Sequence, residues 1–281
     1  MLQSRPLSED LQRTAKEELN EVPERLAEEV RILKTWIEQQ PFMDVWANTD
    51  DQLLIAFLRG CKHNLQKAKS KINAYFTWKR KFPAMFNAND VDKERFREIF
   101  RLGLYLYLPT PLHDNGPRIL LIRTGVYPAG KYSLDELLVV YIALQDILML
   151  EDDNAVIKGL IIICDFKTFT ISHCFYLNPI KLKRLIAFSD EALATRIKSA
   201  QNIYTPKAFE FFYRLVKPLL AKQQKRLFVH SNMDSLAGQI PLKYLPKDYG
   251  GENGSVAEII DEWDKILNKY REYFKRSHQI E

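Results

Sequence analysis

The sequence predicts an α/β protein, with a helical bundle at the N-terminus followed by a mostly parallel sheet and its crossover helices. Three observations lead there. The first ~90 residues carry helical periodicity and no strand-like run. Two apolar, β-branched runs of strand length then appear, RILLIRTGVY at 118–127 and GLIIICDF at 159–166, with RLFVHSN at 226–232 as a weaker third. Helical stretches at 133–150, 179–193 and 206–221 alternate with them, and such alternation is the pattern of parallel strands joined by crossovers. The expected units are residues 1–90, a helical module, residues 91–255, the α/β domain, and residues 256–281, a C-terminal helix.

Each element has a local reason. Residues 8–39 read as one charged helix, because Leu11, Leu19, Val22, Leu26, Val30, Leu33 and Trp36 recur at spacings of three, four and seven. Thr49 is placed to cap the short helix DDQLLIAFLR, which Gly60 closes. Asn64 caps the next, LQKAKSKINAYFTWKRKF, whose Ala68, Ile72, Tyr75 and Phe76 share a face, and Pro83 follows it. HDNGPR (113–118) is a turn into the first strand. SVAEIIDEWDKILNKYREYFKR is the last amphipathic helix.

Composition narrows the function classes. Of 281 residues 46% are apolar, ample for a core, and the 12% that are aromatic are nearly all Phe and Tyr, enough to line a substantial apolar interior. No run reaches the ~18 apolar residues of a membrane span, and the polar start MLQSRPLSEDLQRTAKEEL lacks the apolar segment of a secretory signal. Cys61, Cys164 and Cys174 are an odd count without C-x-x-C spacing, which suggests neither a disulfide framework nor zinc. The expectation is a cytoplasmic monomer without metal or cofactor. The net charge of +5 is uneven: residues 181–226 hold eleven Lys or Arg against three Asp or Glu, a net +8 that leaves −3 for the rest. Such a segment suits either an anionic partner surface or a solvated helix face.

Catalytic motifs are weak. GVYPAGKY (125–132) has the G-x-x-x-x-G-K spacing of a phosphate loop between strand and helix. However, Tyr132 stands where a small hydroxyl must reach the metal, and Pro128 removes a backbone N–H from the cradle. Ser172, His173 and Cys174 are sequence neighbours, and neither strand nor helix geometry puts a nucleophile in line with its adjacent base. G-x-S-x-G, H-E-x-x-H and G-x-G-x-x-G are absent, as is any basic-aromatic module for nucleic acid. No catalytic residue is expected.

The segment NIYTPKAFEFFYRLVKPLLAKQQKR (202–226) poses a separate question. Thr205 is placed to cap a helix with Pro206 at its first position. Ala208, Phe209, Phe211, Phe212, Tyr213, Leu215, Val216, Leu219 and Leu220 then spread over an arc of roughly 200°, twice the usual apolar stripe. Such a face needs protein on both sides, an apolar ligand or a bilayer. Arg196 and Lys198 precede it and Lys222, Lys225 and Arg226 follow it, which suits anionic headgroups.

Several stretches, in order, carry a family resemblance: DDQLLIAFLRGCKHNLQKAKSKINAYFTWKRKFP, GLIIICDFKTFTISHCFYLNP, KPLLAKQQKRLFVHSN and IPLKYLPKDYGGENGS. Over about 45–265 the chain resembles the CRAL-TRIO lipid-binding and transfer family, in the branch of the alpha-tocopherol transfer protein, the clavesins and cellular retinaldehyde-binding protein. The resemblance implies a βα cage that holds one hydrophobic molecule, tocopherol- or retinoid-like, under a mobile helical lid formed by residues 206–220. It also implies transfer at phosphoinositide-containing membranes, with a membrane adaptor or sensor as the alternative. The implied pocket comprises Leu138, Tyr141 and Gln145 on one helix, and Leu160, Ile162 and Cys164 on one strand face. Ile171, Phe175, Phe188 and Ser189 follow, and Phe209, Phe212 and Val216 line the lid. Phosphoinositide contacts fall on Arg196, Lys198, Lys222 and Arg226. Departures from the family pattern are Tyr204 and Gln201 before the lid, Leu219 within it, and Cys164, Ala200, Tyr141 and Phe188 in the pocket, which imply a cavity of different shape from that for tocopherol. Lys217 matches a lysine of the phosphatidylinositol-transfer branch, but the partner Glu of that branch is missing around Ala194 and Thr195.

Overall fold

A computed structural model describes residues 5–40, 50–88, 90–220 and 224–276. The N-terminal helices are α1 (Glu9–Leu19), α2 (Pro23–Glu38), α3 (Asp51–Gly60), α4 (Leu65–Lys81), α5 (Pro83–Phe86) and α6 (Glu94–Arg101). The single helix expected over 8–39 is two. Asn20 takes a left-handed conformation (φ 62°) that ends α1, and Pro23 opens α2, where its missing N–H costs nothing. Thr49 lies outside the described residues; the Asp50 side chain accepts from the Gln52 N–H and caps α3. Asn64 caps α4 as its sequence indicates, accepting from the Lys67 N–H.

The sheet has five strands in sequence order: β1 (Tyr105–Tyr107), β2 (Arg118–Arg123), β3 (Leu160–Asp165), β4 (Ile197–Ile203) and β5 (Leu227–Val229). β1 runs antiparallel to β2 and the other pairs are parallel. The parallel strands are joined through α7 (Leu134–Glu151) and α8 (Asp153–Ile157), then α9 (Ile171–Phe175) and α10 (Pro179–Glu191), then α11 (Lys207–Val216). Right-handed crossovers between strands laid down in order all pass over the same face. The connecting helices therefore share one side of the sheet. α12 (Met233–Ala237) and α13 (Val256–Lys269) cover the other, and α14 (Arg271–Arg276) ends the described chain.

Side chains along β2 and β3 alternate accordingly. Leu120, Ile122, Leu160 and Ile162 join the core cluster of α7, whereas Ile119, Leu121, Ile161 and Ile163 join Leu236, Ile240 and Ile259 beneath. α7 is the central pillar. Ser133 and Glu136 close a capping box at its start, and every residue from Val140 to Leu150 is buried. One apolar cluster runs from α2–α6 through α7 and α10 to α14. α11 starts at Lys207, with Pro206 as its N-cap and no cap from Thr205, and gives way to a 3-10 turn over Lys217–Leu220 because Pro218 cannot continue an α-helix.

A buried charge pair ties α4 to this pillar. The Lys79 ammonium donates to Asp146 on α7, and the Tyr75 hydroxyl donates to the other Asp146 oxygen at 2.7 Å. Burial pushes the Asp146 carboxyl up and the Lys79 ammonium down, and their mutual attraction opposes both shifts. Removing one partner leaves an uncompensated charge in the core, so Asp146→Leu is expected to lose about 3–5 kcal/mol in urea unfolding. The double variant Lys79→Met, Asp146→Leu is expected to regain most of that loss. Equal losses in the single and double variants would contradict the pairing.

Candidate functional site

The two faces of the sheet are not equally filled. Beneath the sheet, Ile119, Leu121 and Ile163 are 0% exposed. Under the crossover helices, Ile122, Ile162 and Cys164 each retain accessible surface, although β3 is the middle strand and helices lie above it. Burial nevertheless pushes the Cys164 thiol up to about 12, which places it deep in the molecule. Side chains in a close-packed layer leave no room for a water-sized sphere. Surface that such a sphere can touch at this depth marks incomplete packing between the sheet and its helical roof, beside Ile162 and Cys164.

This loosely packed region lies toward the C-terminal end of β3, the end at which open α/β sheets place their ligands. α7 presents Leu138, Tyr141 and Gln145, all buried, at a spacing that puts them on one helix face. α11 closes the far side. Phe209 and Val216 are buried, and Phe212 and Tyr213 are half-buried. Phe209 meets the Phe166 ring at 4.8 Å, Phe212 meets Phe169 at 5.6 Å, and Cys164 packs against this aromatic cluster. Polar groups also lie on this side of the sheet: Asn202 is the register partner of Cys164 and donates to the Phe228 carbonyl. The Gln145 amide donates to the Tyr141 hydroxyl at 2.7 Å, and Gln145 Oε1, fully buried, has no partner, a state that costs about 1–3 kcal/mol.

Some expected pocket residues lie elsewhere. Ile171 and Phe175 are 44% and 74% exposed. Four residues apart on the short α9, they share its outer face, while His173 and Cys174 turn inward. Phe188 stacks on Phe86 at 4.4 Å and meets Trp78, so α10 aims it at the N-terminal helices. The half-buried Ser189 spends its hydroxyl on the Leu185 carbonyl. Leu160 is fully buried at the start of β3.

The exposed side chains form a rim of their own. Ile171, Phe175, Tyr176, Ile180 and Phe211 are exposed on α9 and its C-cap, the start of α10, and α11, and α11 packs against both α9 and α10. The apolar arc of 206–220 thus divides into an inner face of Phe209 and Val216, a half-covered flank of Phe212 and Tyr213, and the outward Phe211.

A basic cluster lies near the start of β4. Burial first, then the like charges of Arg196, Arg226 and Lys62, hold the Lys198 ammonium below its ordinary value, with Glu18 opposing. Lys222 lies outside the described residues. Arg196 is also structural: its guanidinium donates to the Arg59 carbonyl at the end of α3 and to the Ile157 carbonyl at the end of α8. Gly60 permits this approach, because a side chain there would stand 2.4 Å from the Ala194 carbonyl oxygen. Arg59 in turn is gripped by Glu21 through two hydrogen bonds and by Asp153 through a third. His63 lies 2.6 Å from Glu29 and 3.4 Å from Glu21. The glycine of the phosphate-loop-like stretch serves packing, since a Cβ on Gly125 would stand 2.3 Å from the Thr168 backbone.

The family profile described as "CRAL/TRIO domain" matches residues 105–251, more than half of the chain. The chain belongs to the CRAL/TRIO domain family. A profile described as "Pinta-like, UBA domain" matches residues 22–96. The human alpha-tocopherol transfer protein-like protein is 26% identical over 264 residues, which cover 93% of this chain and 75% of that protein. Rat clavesin-1 is 28% identical over 247 residues, 87% of this chain and 69% of clavesin-1. The crystal structure of Sfh5 superposes with a TM-score of 0.53 at 12% identity, covering 91% of this chain and 92% of that one, a likeness of fold. CRAL/TRIO proteins bind small hydrophobic molecules, and the mostly parallel sheet under a helical roof is the fold of that family. No helix among the described residues is long and apolar enough to cross a membrane.

Sequence reasoning missed Lys62, Tyr105 and Ile122. Lys62 sits at the left-handed turn after α3 (φ 53°), and only the fold brings it to β4. Tyr105 lies on a strand too short to leave a pattern, with its ring 5.3 Å from Tyr141. Ile122 was legible as strand, but its face depends on register.

The grip on Arg59 has a pH signature. Burial alone would raise the Glu21 carboxyl, but His63 and Arg59 hold it at about 2, against an ordinary 4.5. Burial alone would lower His63, but Glu21 and Glu29 prevail and raise it above its ordinary 6.5. The depressed carboxyl contributes stability above 4.5 that is lost toward 2, and the raised imidazole contributes stability below 6.5 that is lost as pH rises past its folded value. The melting-temperature difference between wild type and Glu21→Gln is therefore expected to peak between pH 4.5 and 6.5. A difference independent of pH would contradict the cluster.

Proposed function

We propose that the protein carries one hydrophobic molecule in the chamber under α11 and exchanges it at membranes bearing phosphoinositides. The observation that carries this reading is the accessible surface of Ile162 and Cys164 behind a closed helical roof. The apolar rim and the basic cluster supply the membrane half. In water the rim is a liability, since each large apolar side chain is worth about 1.5–3 kcal/mol when buried. Against a bilayer it becomes an anchor. Lid opening then exchanges one apolar contact for another, because the inner face of α11 moves from cargo to lipid while the rim is already seated.

Charge and rim have separable tasks. Four cations near an anionic surface at ~1 kcal/mol each give about 4 kcal/mol, a millimolar association that only orients the molecule. Rim insertion supplies the remaining affinity, and reversible docking is what a carrier requires.

Two pairs of substitutions test this with vesicles of phosphatidylcholine containing a phosphatidylinositol bisphosphate. Phe175→Asp with Ile180→Asp is expected to weaken vesicle binding and slow lipid transfer at least tenfold on any vesicle. Lys62→Glu with Lys198→Glu, which spares Arg196 and its backbone contacts, is expected to weaken binding about tenfold or more on the phosphoinositide vesicles alone, and less at high salt. Both should leave bound lipid unchanged. Unaltered transfer in both variants would overturn the docking, and docking without any net transfer would replace carrier by sensor.

A further inference from the structure

We infer that α1 is a detachable strap that counters the basic cluster near β4, and that an anionic membrane surface displaces it. This rests on the reading of that cluster as a headgroup site and names how the site is regulated.

α1 matches the cluster in charge and in spacing. Asp10, Thr14 and Glu18 recur every four residues, so they form one row along a flank of the helix. Asp10 and Thr14 both hold the Lys158 ammonium, at 2.9 and 2.6 Å. Lys158 precedes Gly159, against which Lys198 lies. A Cβ on Gly159 would stand 3.2 Å from Lys198 Cε and 2.5 Å from the Arg196 carbonyl oxygen. The exposed Glu18 continues the row toward these two residues. Burial lowers both the Arg196 guanidinium and the Lys198 ammonium, and the carboxylate that opposes the shift in each is Glu18. Ile157 is shared as well: its side chain packs against Leu11, Ala15 and Leu19 of α1, while its carbonyl accepts from Arg196.

Docked α1 thus subtracts twice from the positive surface. It pairs Lys158, which would otherwise join Lys62, Lys198 and Arg226, and it sets Glu18 beside them. Residues 9–21 carry five acidic side chains against Arg13 and Lys16, a net −3 next to four cations.

The attachment is light. Its apolar part is a cluster of four buried residues, separate from the large core. Its polar part is the grip on Lys158 and the bonds of Arg5 to Asp153 at 3.2 Å and to the Leu150 carbonyl at 2.6 Å. Ion pairs between partly exposed groups contribute little each. Asn20, in its left-handed conformation (φ 62°), separates α1 from Glu21, whose grip on Arg59 is buried. α1 can therefore lift while α2 and Arg59 stay in place, a local opening of the kind that small peripheral clusters permit. On an anionic surface the headgroups replace Glu18 and gain Lys158, so docking and release favour each other.

The experiment measures binding of the full chain to phosphatidylcholine vesicles with and without a phosphatidylinositol bisphosphate, together with hydrogen exchange of the α1 amides. Glu18→Gln, at an exposed position, is expected to tighten binding to the phosphoinositide vesicles roughly three- to fivefold at low salt, and to leave the plain vesicles unchanged. Glu17→Gln makes the same charge change about 100° around the helix, off the row, and is expected to do much less. In the wild type the α1 amides are expected to exchange about tenfold faster on phosphoinositide vesicles than on plain ones, with those of α3 unaltered. Equal effects of Glu18→Gln and Glu17→Gln, or α1 exchange that the phosphoinositide leaves unchanged in bound protein, would overturn the strap alone. No preference for phosphoinositide vesicles in either the wild type or Glu18→Gln would overturn it together with the headgroup reading beneath it.

Discussion

Everything that positions the site follows from strands laid down in order under right-handed connections. With β1 to β5 adjacent in sequence, each crossover must pass over the same face, so α7, α10 and α11 compete for one roof. A doubly wound sheet divides its helices between two faces and fills both. Here the lower face is sealed by the C-terminal segments, with Ile119, Leu121 and Ile163 fully buried. The upper face is roofed by helices that are anchored elsewhere. α7 is locked to α4 through Asp146 and Lys79, and α10 is drawn to the N-terminal helices by Phe188 stacked on Phe86. Ile162 packs against the α7 cluster, yet it and Cys164 keep accessible surface, and the proposed carrier reading rests on that surface.

The same tethering singles out α11 as the lid of the proposed carrier. Its inner contacts are a small aromatic cluster of Phe166, Phe169, Phe209 and Phe212 at the end of β3, distinct from the large core. Its separate contact cluster and its 3-10 continuation leave α11 outside the large core, where low-energy opening is expected. The basic cluster stands at the opposite extreme. Arg196 holds the ends of α3 and α8, and Arg59 is fixed by Glu21 and Asp153, so the cluster proposed to meet an anionic surface has Arg196 on a rigid base.

Much of this was legible in the sequence, for identifiable reasons. β2 and β3 were visible because buried parallel strands are continuous apolar runs, and α7 because its length exceeds any strand. β4 was not, since IKSAQNI carries no alternation; its Gln201 and Asn202 are satisfied by His230 and the Phe228 carbonyl, partners that only the fold supplies. The excess apolar arc of 206–220 was legible, and so was the shared strand face of Ile162 and Cys164, which follows from the period of two. The directions of Ile171, Phe175 and Phe188 were not. A family pattern locates residues along the chain, whereas which side of a one-turn helix faces inward is decided by its neighbours. Lys62 escaped for a related reason, since its left-handed turn matters only once Gly60 has brought α3 against Ala194.

An unfilled volume behind α11, sized for one lipid, is the claim on which the rest stands. Native mass spectrometry of the protein purified from cells tests it most directly. The account predicts a population heavier than the apoprotein by one lipid, released by organic extraction and restored by incubation with the extracted lipid. A single apoprotein mass that no lipid shifts would contradict it.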